Sequence, residues 1–100
     1  MIFVYVTSNS AQKAKEISKL LLEKKLIACA NIFPSESIYT WEGKIKEEKE
    51  YILILKTLEE KFELIEKEIS RVHPYETPCI AKVKVDFSKK FFDWLKKTVS

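Results

Sequence analysis

Few side chains in this sequence carry the chemistry of a functional group, and one of them is unique. His73 is the sole histidine and stands directly before Pro74. At a helix end its ring can cap free carbonyls, where the helix dipole favours the charged form; the competing roles are metal ligand and acid–base group. Glu76 follows close behind and could pair with His73 or with Lys56. Cys29 and Cys79 lie in apolar surroundings, and their wide separation matches neither a disulfide framework nor a zinc knuckle. They read as buried, reduced thiols. No serine or cysteine stands at a spacing that would make it a nucleophile partnered by His73, and the one glycine, Gly43, cannot build a phosphate-cradling loop. The expectation is therefore a protein that is not an enzyme, with no catalytic residue and no obligatory cofactor.

A second group of residues reads as binding surface. Lys56 lies just before Thr57, where a helix is expected to begin, and an anion there would meet both backbone N–H groups and the ammonium. Tyr39, Trp41 and Tyr75 fit either an interface between subunits or the walls of a cleft that holds a small molecule. Tyr39, Trp41, Lys56 and Tyr75 are together the expected ligand cleft.

Hydrophobic spacing indicates the elements that must position these groups. Ile2–Thr7 is apolar on both alternating faces, the mark of a central strand. Asn9 or Ser10 can cap a helix over 10–25, in which Ala14, Ile17 and Leu21 share a face. Leu26–Phe33 reads as a strand that breaks at Pro34 and resumes over Ser37–Trp41. Glu42-Gly43 is a hairpin turn, followed by the polar run Lys44–Glu50 and the apolar strand Tyr51–Leu55. Thr57 and Glu60 have the spacing of a capping box, and Leu58, Phe62, Ile65, Ile69 and Val72 recur at helical intervals until Pro74 stops the helix. Residues 79–85 alternate as an edge strand with Ile80, Lys82 and Lys84 on its wet side. Ser88 caps a last helix through Phe92, Leu95 and Val99.

The order β-α-β-β-α-β-α predicts an α+β fold, a ferredoxin-like βαββαβ sandwich on one antiparallel sheet with an added C-terminal helix. The 100 residues make a single domain, 1–100, with 46% hydrophobic and 33% charged residues as in globular proteins. No apolar stretch approaches the ~20 residues of a membrane-spanning helix, and Met1 leads into Ile2–Val6 without the basic start of a secretory signal, so the cytoplasm is the expected compartment. A net charge of +3, almost all from lysines that alternate with glutamates, argues against nucleic acid as partner, since only Arg71 is an arginine. The Lys/Glu excess fits a thermophile's surface.

In such a fold both long helices cover one face of the sheet, yet the strands at Ile2–Thr7 and Tyr51–Leu55 are apolar on both faces. Leaving the second face wet would expose a patch larger than monomers carry, and a last helix of about a dozen residues covers only part of it. A homo-oligomer is expected, with the hairpin that bears Tyr39 and Trp41 reaching to a neighbour.

Four segments are similar to the CutA divalent-cation tolerance family: Leu26-Ile27-Ala28-Cys29-Ala30-Asn31, Trp41-Glu42-Gly43-Lys44, Leu55-Lys56-Thr57, and His73-Pro74-Tyr75-Glu76-Thr77-Pro78. They span most of the chain in that family's order. The resemblance implies a homotrimer similar in architecture to the PII signalling proteins, and a role in tolerance to divalent metals, copper especially. It also implies a departure. Copper binding in a bacterial member of the family is attributed to a cysteine and a histidine pair, which fall here on Val6 and on Val72-His73, so only His73 remains. Cu(II) prefers several N or O ligands. A tight site for Cu(II) or another divalent cation, for which His73 and Glu76 are the expected residues, would thus need His73 joined by ligands from neighbouring subunits or by Glu76, Glu59 or a thiol brought close by folding. The alternative is a PII-like sensor or scaffold whose clefts bind a small anionic ligand or a partner protein.

Overall fold

The structure, a computed structural model, describes all residues from Met1 to Ser100. Strand β1 (Ile2–Ser8) leads to helix α1 (Ala11–Glu23), then come β2 (Cys29–Trp41) and β3 (Lys44–Thr57) as a long hairpin. A short 3-10 turn at Glu59–Lys61 runs into α2 (Phe62–Val72), followed by β4 (Ile80–Lys84) and α3 (Lys89–Thr98). The sheet order is β2-β3-β1-β4 with every neighbouring pair antiparallel, which is the predicted ferredoxin-like βαββαβ arrangement with β1 and β3 central.

The core lies between the sheet and the two longer helices. Ile2, Val4 and Val6 of β1 and Leu53 and Leu55 of β3 point to that side and meet Ile17 and Leu21 of α1 and Ile65 and Ile69 of α2, all buried. Ser10 caps α1 by accepting the Lys13 N–H on its Oγ at 3.1 Å. Lys25, at φ +56°, holds the left-handed position beyond the helix that glycine usually fills, and lets the Leu26 N–H return to the Leu21 carbonyl.

Several expectations change in the folded chain. β2 does not break at Pro34: pairing with β3 is continuous, with Pro34 opposite Tyr51. β2 is an edge strand, the place where a missing N–H is tolerated. Thr57 does not cap a helix. Its hydroxyl is fully buried and donates to the Leu26 carbonyl at 2.6 Å, and α2 starts later, behind Lys61, with no side-chain cap. On β4, Lys82 and Lys84 lie opposite Val4 and Ile2, on the helix side, where Lys82 sits over the Phe62 ring and pairs with Glu59. The other side of β4, with Ala81 and Val83, belongs to the helix-free face of the sheet and is the more apolar one.

That helix-free face is only partly covered. Helix α3 seals one end of it through the aromatic series Phe3–Phe87–Phe91–Trp94 and through Leu95 and Val99 against Ala28. Beyond that cover, Phe33 and Val83 stay about half exposed.

The β2–β3 hairpin runs past the body and gives the molecule a long axis of 46 Å against 25 and 21 Å. Its turn has Glu42 at φ +50° and Gly43 at φ +76°, the paired left-handed geometry that suits a tight hairpin's twist. The projecting part is apolar on both sides, with Ile38 68% and Ile45 77% exposed on one and Trp41 55% exposed on the other.

Candidate functional site beside the hairpin

Alternation along the hairpin decides which side chains meet. Tyr39 and Trp41 on β2 share a face with Lys46, Glu48 and Glu50 on β3, because the Gly43 turn sets Tyr39 opposite Lys46. That face looks towards the segment joining α2 to β4. Between them is a cavity of about 510 Å³, walled by the hairpin residues, by Thr7 at the end of β1, and by Tyr75, Glu76 and Cys79. Its volume is that of a site for a small organic molecule.

The α2–β4 segment is held by His73. As the residue before Pro74 it leaves the helical region, with φ −72° and ψ 138°, while its N–H still closes α2 on the Ile69 carbonyl. The residue is 8% exposed, and both ring nitrogens are engaged. Nε2 lies 2.6 Å from the Thr7 carbonyl and must donate to it; Nδ1 accepts the Tyr75 N–H at 3.0 Å. This assigns the neutral Nε2–H tautomer. The Tyr75 ring packs on the imidazole, centroids 4.7 Å apart, and its hydroxyl donates to Glu50 Oε2 at 2.6 Å. A relay from Thr7 through His73 and Tyr75 to Glu50 thereby ties β1 to β3 across the loop.

The cavity is electronegative. The Tyr75 phenol is pushed well above its ordinary value, first by burial and then by its bond to Glu50 and the charge of Glu48. The Tyr39 phenol is raised as well, foremost by the Glu48 carboxylate beside it.

Of the expected cleft residues, Tyr39, Trp41 and Tyr75 come together and Lys56 does not. Lys56 lies six residues from Glu50 along β3, about 20 Å at strand spacing, with its ammonium 5.5 Å from the Phe91 ring under α3. The lysine at the cavity is Lys46, and the wall carries Glu48, Glu50 and Glu76, so an anion would meet like charge. Glu48 and Glu50 escape a linear reading because they sit in a polar run; their alternation in register with Tyr39 was the available signal. Cys79 is exposed at the cavity and Cys29 is half-buried, so neither is the buried thiol expected, and both are unpaired.

The donor set does not fit a metal ion within one subunit. No three His, Cys, Asp or Glu side chains converge on a point, and His73 has no free lone pair while it holds Thr7 and Tyr75. Nor does the ring cap the end of α2, since its bonds go to β1 and to the loop.

Comparison with known proteins fits this architecture. The family model described as CutA1 divalent ion tolerance protein matches residues 2–98. The divalent-cation tolerance protein CutA of Archaeoglobus fulgidus is 46% identical over 98 residues, covering 97% of this chain and 96% of its own. The Thermotoga maritima protein of the same description is 45% identical over 100 residues, 99% of each chain. Plant relatives, such as one from Arabidopsis thaliana, are described as chloroplastic. A solved structure of the A. fulgidus protein, described as periplasmic, superposes with a TM-score of 0.97 over 100% of both chains at 45% identity. The PII-like protein CutA of Nostoc superposes at 0.91 over 100% of this chain and 98% of that one, at 28% identity. No helix here is long and apolar enough to cross a membrane. By sequence over its whole length and by fold, the chain belongs to the CutA1 divalent ion tolerance family.

Proposed function

We propose that this chain serves divalent-cation tolerance as a homotrimer of PII-like architecture, and that its working site is the cavity between the hairpin and the α2–β4 segment. Family membership supports the tolerance role. The uncovered sheet face and the hairpin, apolar on both sides, support self-association. The two free thiols suit a reducing compartment, and we take the cytoplasm as its location.

Two routes to metal tolerance differ in their chemistry. Direct copper binding would require His73 to release one of its two hydrogen bonds and to act with Glu76 and further ligands from neighbouring subunits. A PII-like sensor would instead bind a small molecule or a partner at the cavity, and tolerance would follow indirectly. The single observation that favours the second is the engagement of both His73 nitrogens inside the fold.

Calorimetric titration of the assembled protein with Cu(II), on the unaltered chain and on His73→Ala, separates them. The sensor reading expects the same copper isotherm for both. Loss of most copper affinity in His73→Ala, together with metal-dependent loss of the neutral ring's signal in NMR, would establish the metal site instead.

A further inference from the structure

We infer that the outer face of α3 is a docking surface for an acidic segment of a partner protein. It lies at the other end of the helix-free face from the cavity, since α3 covers Lys56, opposite Phe3, while the cavity begins at Thr7. The inference does not depend on the cavity reading.

Charge is divided unevenly along this chain. Of its 18 basic and 15 acidic residues, α3 holds four lysines and one acid, Asp93, which leaves fourteen of each sign in the rest. The whole net charge of +3 is therefore carried by the 10 residues of this helix. Asp93 is taken by Lys89 at 2.9 Å, and Lys96 sits over the Phe92 ring. Lys90 and Lys97 have no carboxylate partner. Spacings of four and three residues put both on one stripe with Trp94, which is 47% exposed between them. The indole offers the apolar area on which contacts are anchored, and the free ammonium groups attract a partner of opposite sign.

The geometry selects the partner. Leu95 and Val99 are buried against Ala28 and Phe91 packs beside them, so the apolar side of α3 is not free to enter a lipid bilayer. Lys90 and Lys97 stand about 10 Å apart along the helix axis, and the rest of the chain has no net charge with which to follow a nucleic-acid backbone. That length fits two carboxylates two turns apart on a helix, or a few residues of extended chain, with an apolar side chain between them for Trp94.

Fluorescence anisotropy tests this with a short fluorescein-labelled peptide of glutamate and leucine, titrated with the assembled protein. Lys90→Glu with Lys97→Glu reverses the stripe, while Lys15→Glu with Lys19→Glu makes the same change in net charge on the exposed side of α1. Lys90→Gln with Lys97→Gln removes the charge without adding repulsion. Circular dichroism and light scattering check that each variant keeps the fold and assembly of the parent. The peptide should bind the parent, more weakly as salt is raised. The α3 reversal should weaken binding roughly tenfold or more, the glutamine pair by less, and the α1 reversal by under about twofold. Equal losses from the two reversals would reduce the effect to net charge and overturn the assignment, and so would absence of binding to the parent. Tighter binding of phosphatidylglycerol vesicles or of a single-stranded oligonucleotide would overturn it in favour of those partners. Dissociation of the α3 variants into single chains would assign the stripe to a subunit contact and overturn it as well.

Discussion

The hydroxyl of Tyr75 donates to Oε2 of Glu50 at 2.6 Å, so a loop residue beyond α2 closes on the middle of β3. With His73 holding the same loop to Thr7, this contact gives the cavity a fixed wall. Tyr75→Phe keeps the ring against His73 and removes only the bond. A hydrogen bond to a charged partner, partly open to solvent, should make its loss cost about 1–2 kcal/mol in chemical denaturation at neutral pH. The Tyr75 phenol is held above its ordinary value, so its contribution is complete below the unfolded value, about 10, and declines as pH rises past it. The stability gap between the parent and Tyr75→Phe should therefore narrow in strong alkali. A gap that widened there would contradict the assignment.

Thr57 and Leu26 form the second test. The Thr57 hydroxyl, fully buried, donates to the Leu26 carbonyl and joins the end of β3 to the link between α1 and β2. Thr57→Val preserves shape but leaves that carbonyl unpaired, at a cost of about 1–3 kcal/mol. Glu60→Ala should stay within about 0.5 kcal/mol, because Glu60 is exposed and takes part in no capping box. Denaturation midpoints at one fixed protein concentration compare the two, since assembly links stability to concentration. Equal losses would restore the capping box.

The hairpin tip should decide assembly. Trp41→Ala removes an exposed aromatic of the projecting segment, and Ile38→Lys places a charge on its opposite apolar side. If neighbouring subunits bury these residues, each change should weaken association by about 2 kcal/mol or more, roughly 30-fold in the dissociation constant. Light scattering across a dilution series would then show species of 11.8 kDa at concentrations where the parent stays assembled. Unchanged assembly in both variants would place the tip on a free surface.

Cys79 stands exposed at the cavity wall and Cys29 is half-buried near the end of the sheet that α3 covers. A thiol reagent should give a fast phase from Cys79 and a slow one from Cys29. Cys79→Ser should remove the fast phase alone. A cavity ligand should slow it in the parent, which makes the reaction a second readout of binding.

Much of the fold was legible from local signals. Val4 and Ile17 recur at strand and helix periods because each element must turn one side to the core, and that burial leaves its spacing in the chain. Gly43 marked the hairpin turn because positive φ there favours glycine. The four CutA-like segments identified the family, which the match over residues 2–98 establishes.

Other features depended on contacts between residues far apart in sequence. Thr57 has the spacing of a cap, yet a buried hydroxyl bonds to whichever carbonyl packing brings near, and that was Leu26, thirty-one residues away. Lys56 looked like an anion site from its neighbours in the chain, but α3 folded over it, while register across the hairpin put Glu48 and Glu50 on the same face as Tyr39 instead. His73 was visible as the only imidazole, but its role was not. The fold alone supplies Thr7 as the partner of one ring nitrogen and directs the loop so that Tyr75 satisfies the other, and a ring with both lone-pair and proton committed has little left for a metal. Sequence determined the elements and the inventory of chemical groups, because periodicity and turn chemistry act over a few residues; tertiary structure decided which groups meet, because strand register and helix docking set distances that no local pattern encodes.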